Sequence, residues 1–188
     1  PLLGQAWILK YNESTNSFSR ISVPSEITEA SPLCPTPDGW LYVTTHSWGH
    51  DVNVNNLLVK TNNDGTTWTD LTQSPVYHNG QSVLLKDLLP WRVITDIKYD
   101  ELNPQRIWIT LGGFFKENNI PVAEKYRVLY SPNGGGAWYD YSEGLPCFPA
   151  LCLEKQPGSD DRLFVGTDVG VFYRDKTMSS WECFRTGM

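Results

Sequence analysis

Residues 130–146 read YSPNGGGAWYDYSEGLP. Three consecutive glycines stand between a strand-like run and a tryptophan, and their role decides how the whole chain is read. A phosphate-cradling loop needs the spacing GxxxxGK[S/T] running into a helix. Here the glycines run instead into Ala137, Trp138 and a second alternating stretch, which is the pattern of a hairpin turn.

The stretch also recurs. TNNDGTTWTDLTQSP surrounds Trp68, RDKTMSSWECFRTGM surrounds Trp181, and YNESTNSFSRIS carries Phe18 in the tryptophan's place. The last two tryptophans share their sequel: Tyr141, Gly144 and Leu145 follow Trp138 at the offsets where Phe184, Gly187 and Met188 follow Trp181. Between these anchors lie short alternating runs of β-branched and aromatic residues, with no sustained helical period. GWLYVTT and NLLVKT precede Trp68, RIWITL and YRVLYS precede Trp138, and DRLFVGT and GVFYR precede Trp181. The anchors are 50, 70 and 43 residues apart. Four antiparallel strands repeated at about 40–50 residues make a β-propeller blade. The expected fold is therefore all-β, a single propeller segment over 1–188 holding about three and a half blades. The divisions are a half blade over 1–24, blades over 25–75, 92–145 and 146–188, and an inter-blade insertion over 76–91. Such an arc falls short of a closed ring, so further blades or a second copy of the chain are expected to complete it.

The turns resemble the Asp-box (BNR repeat), whose pattern is S/T-x-D-x-G-x-T-W. Thr61, Asn63, Gly65, Thr67 and Trp68 follow it with Asn in place of Asp. Ser131, Asn133, Gly135 and Trp138 follow it again, with Ala137 for Thr. The resemblance extends to sortilin-, sialidase- and xyloglucanase-like propellers. In look, the DRLFVGTDVGVFYRDKTMSSW stretch is similar to blades of secreted Bacteroidetes-type surface proteins. It implies an extracellular or cell-surface setting, while saying much about fold and little about function.

Composition narrows the partners. The chain has a net charge of -6, so a nucleic-acid backbone is not an expected partner. Its apolar runs are too short to span a bilayer. Cys34, Cys147, Cys152 and Cys183 show no CxxC spacing; two disulfides or four free thiols both fit. No cofactor is implied, and no metal is expected. His46, His50 and Asp51 offer candidate ligands but no fixed third side chain on a rigid element.

Blade topology places the Asp-box turns on one face and the links between strands two and three, and between blades, on the other. The long links (45–56, 73–92 and 112–125) all belong to that second face. They carry His46, Trp48, His50, Asp51, Tyr77, His78, Trp91, Phe114 and Phe115, side chains suited to stacking on a sugar or gripping a peptide. The alternative is that these aromatics pack on one another as a satellite core.

Two enzymatic readings follow from resemblance. The run TDVGVFYRD resembles a xyloglucanase stretch in which the aspartate is catalytic, and this implies Asp168 as one carboxylate; Val171 departs from the pattern's glycine. A second carboxylate is needed, and Asp96 and Glu143 are the candidates. Asp168-Val-Gly is equally an ordinary turn. A sialidase would require three converging arginines, whereas Arg20, Arg106 and Arg162 flank strands near turns. The expectation is a non-catalytic module binding glycan or protein through the long-loop face, with a glycoside hydrolase fragment as the alternative.

Overall fold

The structure is a computed structural model that describes residues 6–27, 29–45, 56–90, 92–113 and 126–184. It is all-β apart from one helical turn. β1 (Trp7–Asn12) and β2 (Ser17–Ser22) form a two-stranded ribbon, and β3 (Ala30–Pro35), β4 (Leu41–Thr45), β5 (Leu58–Thr61) and β6 (Thr69–Asp70) form a four-stranded meander. A second meander comprises β9 (Ile94–Asp100), β10 (Asn103–Leu111), β11 (Val128–Ser131) and β12 (Trp138–Asp140). A third comprises β13 (Ala150–Lys155), β14 (Leu163–Thr167), β15 (Gly170–Arg174) and β16 (Glu182–Cys183).

The insertion between the first two meanders differs from the long loop expected of it. β7 (Pro75–His78) and β8 (Gln81–Leu84) form a hairpin, followed by the short helix α1 (Leu85–Leu88). β7 lies parallel to β12, pairing Val76 with Trp138 and Tyr77 with Tyr139, and so widens the second meander to six strands. The turn is Asn79-Gly80, both with positive φ (47° and 79°), the conformation a two-residue hairpin requires. The hairpin is anchored by Val76, Val83, Leu85, Leu88 and Leu89, which enter the core beside Ile97, Ile109 and Trp138.

The sheets stack in chain order with one apolar layer at each junction. Val43 and Val59 face Ile8 from the ribbon; Tyr42, Leu58 and Leu71 face Ile97, Ile109 and Leu129; Trp108 and Val128 face Leu153, Leu163, Val165 and Phe172. β10 is packed on both faces, with Ile107, Trp108, Ile109, Thr110 and Leu111 all buried, so its run is apolar without alternation.

The two glycine turns close alike. Thr61 Oγ1 accepts the Gly65 amide at 3.1 Å, and Asn63 Oδ1 accepts the Thr67 amide at 3.0 Å. Ser131 Oγ accepts the Gly135 amide at 2.8 Å, and Asn133 Oδ1 accepts the Ala137 amide at 2.9 Å. The short side-chain oxygens thus collect the amides that the turn leaves without strand partners. Gly65 has φ +80°, and a Cβ there would stand 2.7 Å from the Ser22 carbonyl oxygen. Trp68 ties the first of these turns to the preceding ribbon, its Nε1 donating to the Ser22 carbonyl at 3.1 Å, and Trp181 of the third meander donates in the same way to the Tyr141 carbonyl at 2.5 Å; Trp138 is held by burial instead.

Candidate functional site

In a four-stranded meander, the links between strands two and three leave from the end opposite the glycine turns. His46, Trp48, His50, Asp51, Trp91, Phe114 and Phe115 lie outside the described residues. Among the described residues, a connected polar cluster lies at that end between the first two meanders. Tyr126 and Arg127 enter β11 there, Arg92 precedes β9, Asn56 precedes β5, and Asp140 ends β12.

The contacts run in a chain. His78 Nδ1 meets Asp140 Oδ2 at 2.7 Å, and the His78 ring sits edge-on to Tyr126 with centroids 5.6 Å apart. Arg92 donates through Nη2 to the Tyr126 carbonyl, and Asn56 donates through Nδ2 to the Arg92 carbonyl. Ser142 Oγ accepts the Arg127 amide at 2.7 Å and so fixes the start of β11. Arg92 is fully buried and Arg127 nearly so. Burial, with the Arg127 charge added, pulls the Arg92 guanidinium down to about 9, while Asp140 opposes the shift. It remains cationic at neutral pH. Burial, and then the Asp140 charge, raises the Tyr126 phenol. Two buried cations, one carboxylate and an imidazole that is a quarter exposed thus meet where the long links depart.

Of the sequence candidates, Tyr77 and His78 lie on β7, on opposite faces because a strand alternates. His78 belongs to the cluster, whereas Tyr77 faces outward and stacks on Tyr139. Arg92, Tyr126, Arg127 and Asp140 were not singled out by sequence. Charged residues flanking strands ordinarily read as solvated, and nothing local marks these as buried.

Of the two second carboxylates considered for catalysis, Glu143 lies at the far end of β15 from Asp168. Asp168 is exposed in the β14–β15 turn, where Thr167 Oγ1 donates to the Gly170 carbonyl at 2.9 Å and accepts the Val169 amide at 3.3 Å. Asp96 is engaged as a cross-sheet staple: Oδ1 accepts the Ile97 amide at 2.9 Å, and Oδ2 accepts the Leu153 amide at 3.0 Å. Glu143 stands by Trp181, whose amide donates to its carbonyl at 2.7 Å. Trp181 lies past the Arg174 end of β15, and Asp168 precedes the Gly170 end. Each of the three arginines has partners of its own. Arg20 stacks over Trp7, Arg162 bonds Gln156, and Arg106 enters an ion network with Asp100 and Asp161.

All four cysteines are free. Cys34 is buried, which pushes its thiol up to about 11, while Cys147, Cys152 and Cys183 are exposed. Among the described residues, no three His, Cys, Asp or Glu side chains are grouped to hold a metal ion, and no helix is long and apolar enough to cross a membrane.

No family model and no curated protein matches the chain. Solved structures do. The GH74 enzyme of Niastella koreensis superposes with a TM-score of 0.61 at 17% identity, over 96% of this chain and 26% of its own. The GH74 xyloglucanase of Xanthomonas campestris gives 0.60 at 13% identity, over 96% and 26%. The extracellular domain of a putative hybrid two-component system from B. thetaiotaomicron gives 0.57 at 13% identity, over 97% and 25%. The chain therefore spans about a quarter of the length of these proteins. At such identities the likeness is one of fold: this chain is built of β-propeller blades.

Proposed function

We propose that the chain is a non-catalytic, extracellular β-propeller module that binds a glycan at the end of the blades from which the long links depart. The observation that carries this reading is the cluster of His78, Asp140, Tyr126, Arg92, Arg127 and Asn56 at that end. His78, its side chain a quarter exposed, is the group it presents to a ligand hydroxyl, and Asp140 with the buried Tyr126, Arg92, Arg127 and Asn56 forms the rigid polar support behind that imidazole. The setting is supported by the B. thetaiotaomicron neighbour, an extracellular domain, and the ligand class by the xyloglucanase neighbour. The Asp-box reading of the glycine turns is supported by their matching hydrogen bonds at Thr61–Asn63–Gly65–Trp68 and Ser131–Asn133–Gly135–Trp138.

The alternative is a propeller glycoside hydrolase in which Asp168 is one carboxylate. It is favoured by the position of Asp168 in a strand-two-to-three turn, on the same end of the blades as the cluster. One experiment separates the two: native affinity electrophoresis in soluble xyloglucan, with reducing ends counted in parallel. Retardation without new reducing ends, unchanged in Asp168→Asn, supports the binding module. Reducing ends that vanish in Asp168→Asn support the hydrolase. Absence of retardation overturns the glycan reading and leaves a protein ligand for the face.

A further inference from the structure

The widening of the second meander has a consequence at its rim. Cross-strand partners share a sheet face, so Trp108, Tyr130, Tyr139, Tyr77 and Ser82 form one row from β10 out to β8. The third meander covers the inner part of that row: Trp108 and Tyr130 pack against its Leu153, Leu163 and Phe172 layer. That neighbour has only four strands against six, and the outer part of the row is uncovered. Tyr139 is 43% exposed and Tyr77 41% exposed, yet their rings stack with centroids 5.4 Å apart and an interplanar angle of 28°.

We propose that Tyr77 and Tyr139 form a second glycan subsite, a stacking platform on the outer edge of the blade that takes the flat face of a β-linked, uncharged pyranose chain. The inference rests on the reading of the chain as a glycan binder and adds a location that the long-link end does not include. The opposite face of the hairpin already anchors it through Val76 and Val83, so the exposed tyrosines are not needed as its hydrophobic attachment. Two near-parallel aromatic rings present a continuous π surface, on which nucleobases and the axial C–H faces of sugars both stack. A chain of net charge -6, with Asp87 and Asp140 on the flanking segments, disfavours a polyphosphate strand, and a neutral sugar carries no such penalty. Ser82, exposed and directly opposite Tyr77, adds a hydroxyl at the margin for a sugar hydroxyl to meet.

The test is affinity electrophoresis and calorimetry on the full chain with soluble xyloglucan and mixed-linkage β-glucan, with dextran as control. Y77L/Y139L keeps apolar bulk on the strand but removes the ring faces; Y77F/Y139F keeps the faces. The platform predicts binding weakened about tenfold in the leucine pair and near wild type in the phenylalanine pair. Unchanged affinity in the leucine pair, with loss in His78→Ala, overturns the platform and leaves the glycan reading intact. If the wild type is retarded by neither β-glucan, both fall together. Light scattering completes the test. A doubled mass that Y77L/Y139L returns to that of one chain identifies the patch as a self-interface and likewise overturns the proposal.

Discussion

Asp100 lies at the junction of the second and third meanders with its side chain 3% exposed, between two cations. Its Oδ1 is 3.2 Å from Lys155 Nζ, itself 4% exposed, and its Oδ2 is 2.7 Å from Arg106 Nη1. Arg106 continues to Asp161 at 2.6 Å, so two acids and two bases close a neutral network across the sheets. Burial works against the Arg106 cation, but its bonds to Asp161 and Tyr130 outweigh that and raise its pKa. In Asp100→Ala, Arg106 keeps Asp161, but Lys155 keeps only the Ser159 carbonyl at 2.9 Å. Removing one member of a buried pair costs about 3–5 kcal/mol, chiefly the cost of the charge left behind. That is a large share of a domain stability of about 5–15 kcal/mol. The exposed pair Lys10–Asp64, at 2.7 Å with side chains 52% and 64% exposed, supplies the contrast. Lys10→Ala is expected to cost under about 1 kcal/mol despite an equally short distance. Urea denaturation with a common m-value measures both. Adding Lys155→Met to Asp100→Ala should return part of the loss, because the stranded charge is then gone. A cost for Asp100→Ala no larger than that for Lys10→Ala would refute the assignment of the junction to buried charge.

Three further outcomes follow from particular sites. Gly65→Ala should destabilise by roughly 1–3 kcal/mol, since the residue holds positive φ and its new methyl would meet the Ser22 carbonyl; a thermal midpoint equal to wild type would contradict this. Under native conditions at pH 8, iodoacetamide should modify Cys147, Cys152 and Cys183 but spare Cys34, read by mass spectrometry of the peptides. The Asp175 carboxylate accepts from the Thr177 hydroxyl at 2.6 Å and from Tyr173, which together lower it from 3.8 to about 2. Its depressed pKa means that its contribution to stability is complete above 3.8 and is lost as pH falls towards 2. Carboxyl carbon NMR should place its midpoint there, and Thr177→Val should move it upward.

Fourteen of the sixteen strands were legible in sequence because each sits in a short alternating or wholly apolar run between turn residues. The two missed strands, β7 and β8, read PVYH and QSVL, too polar and too near Pro75 to stand out. Asn79-Gly80 between them was the available signal, a dipeptide whose backbone suits a two-residue hairpin. That omission hid the pairing of Tyr77 with Tyr139, 62 positions apart, because a parallel partner is set by packing between distant segments. Buried Arg92 and Arg127 were illegible for a related reason. Their desolvation comes from the junction of two sheets, and local sequence carries no record of it. Asp168 presents the reverse case. It was read both as a catalytic carboxylate, by resemblance, and as an ordinary turn residue, and it sits in the hydrogen-bonded β14–β15 turn that both readings share.

The most direct test of the account is an amide NMR titration of the isotopically labelled chain with xyloglucan oligosaccharides. The account predicts shifts gathered at Asn56, His78, Arg92, Tyr126, Arg127 and Asp140, with a second group at Tyr77, Ser82 and Tyr139. Shifts confined to the glycine turns at 61–68 and 131–138, or centred on Asp168 with the oligosaccharide shortening during the titration, would contradict it.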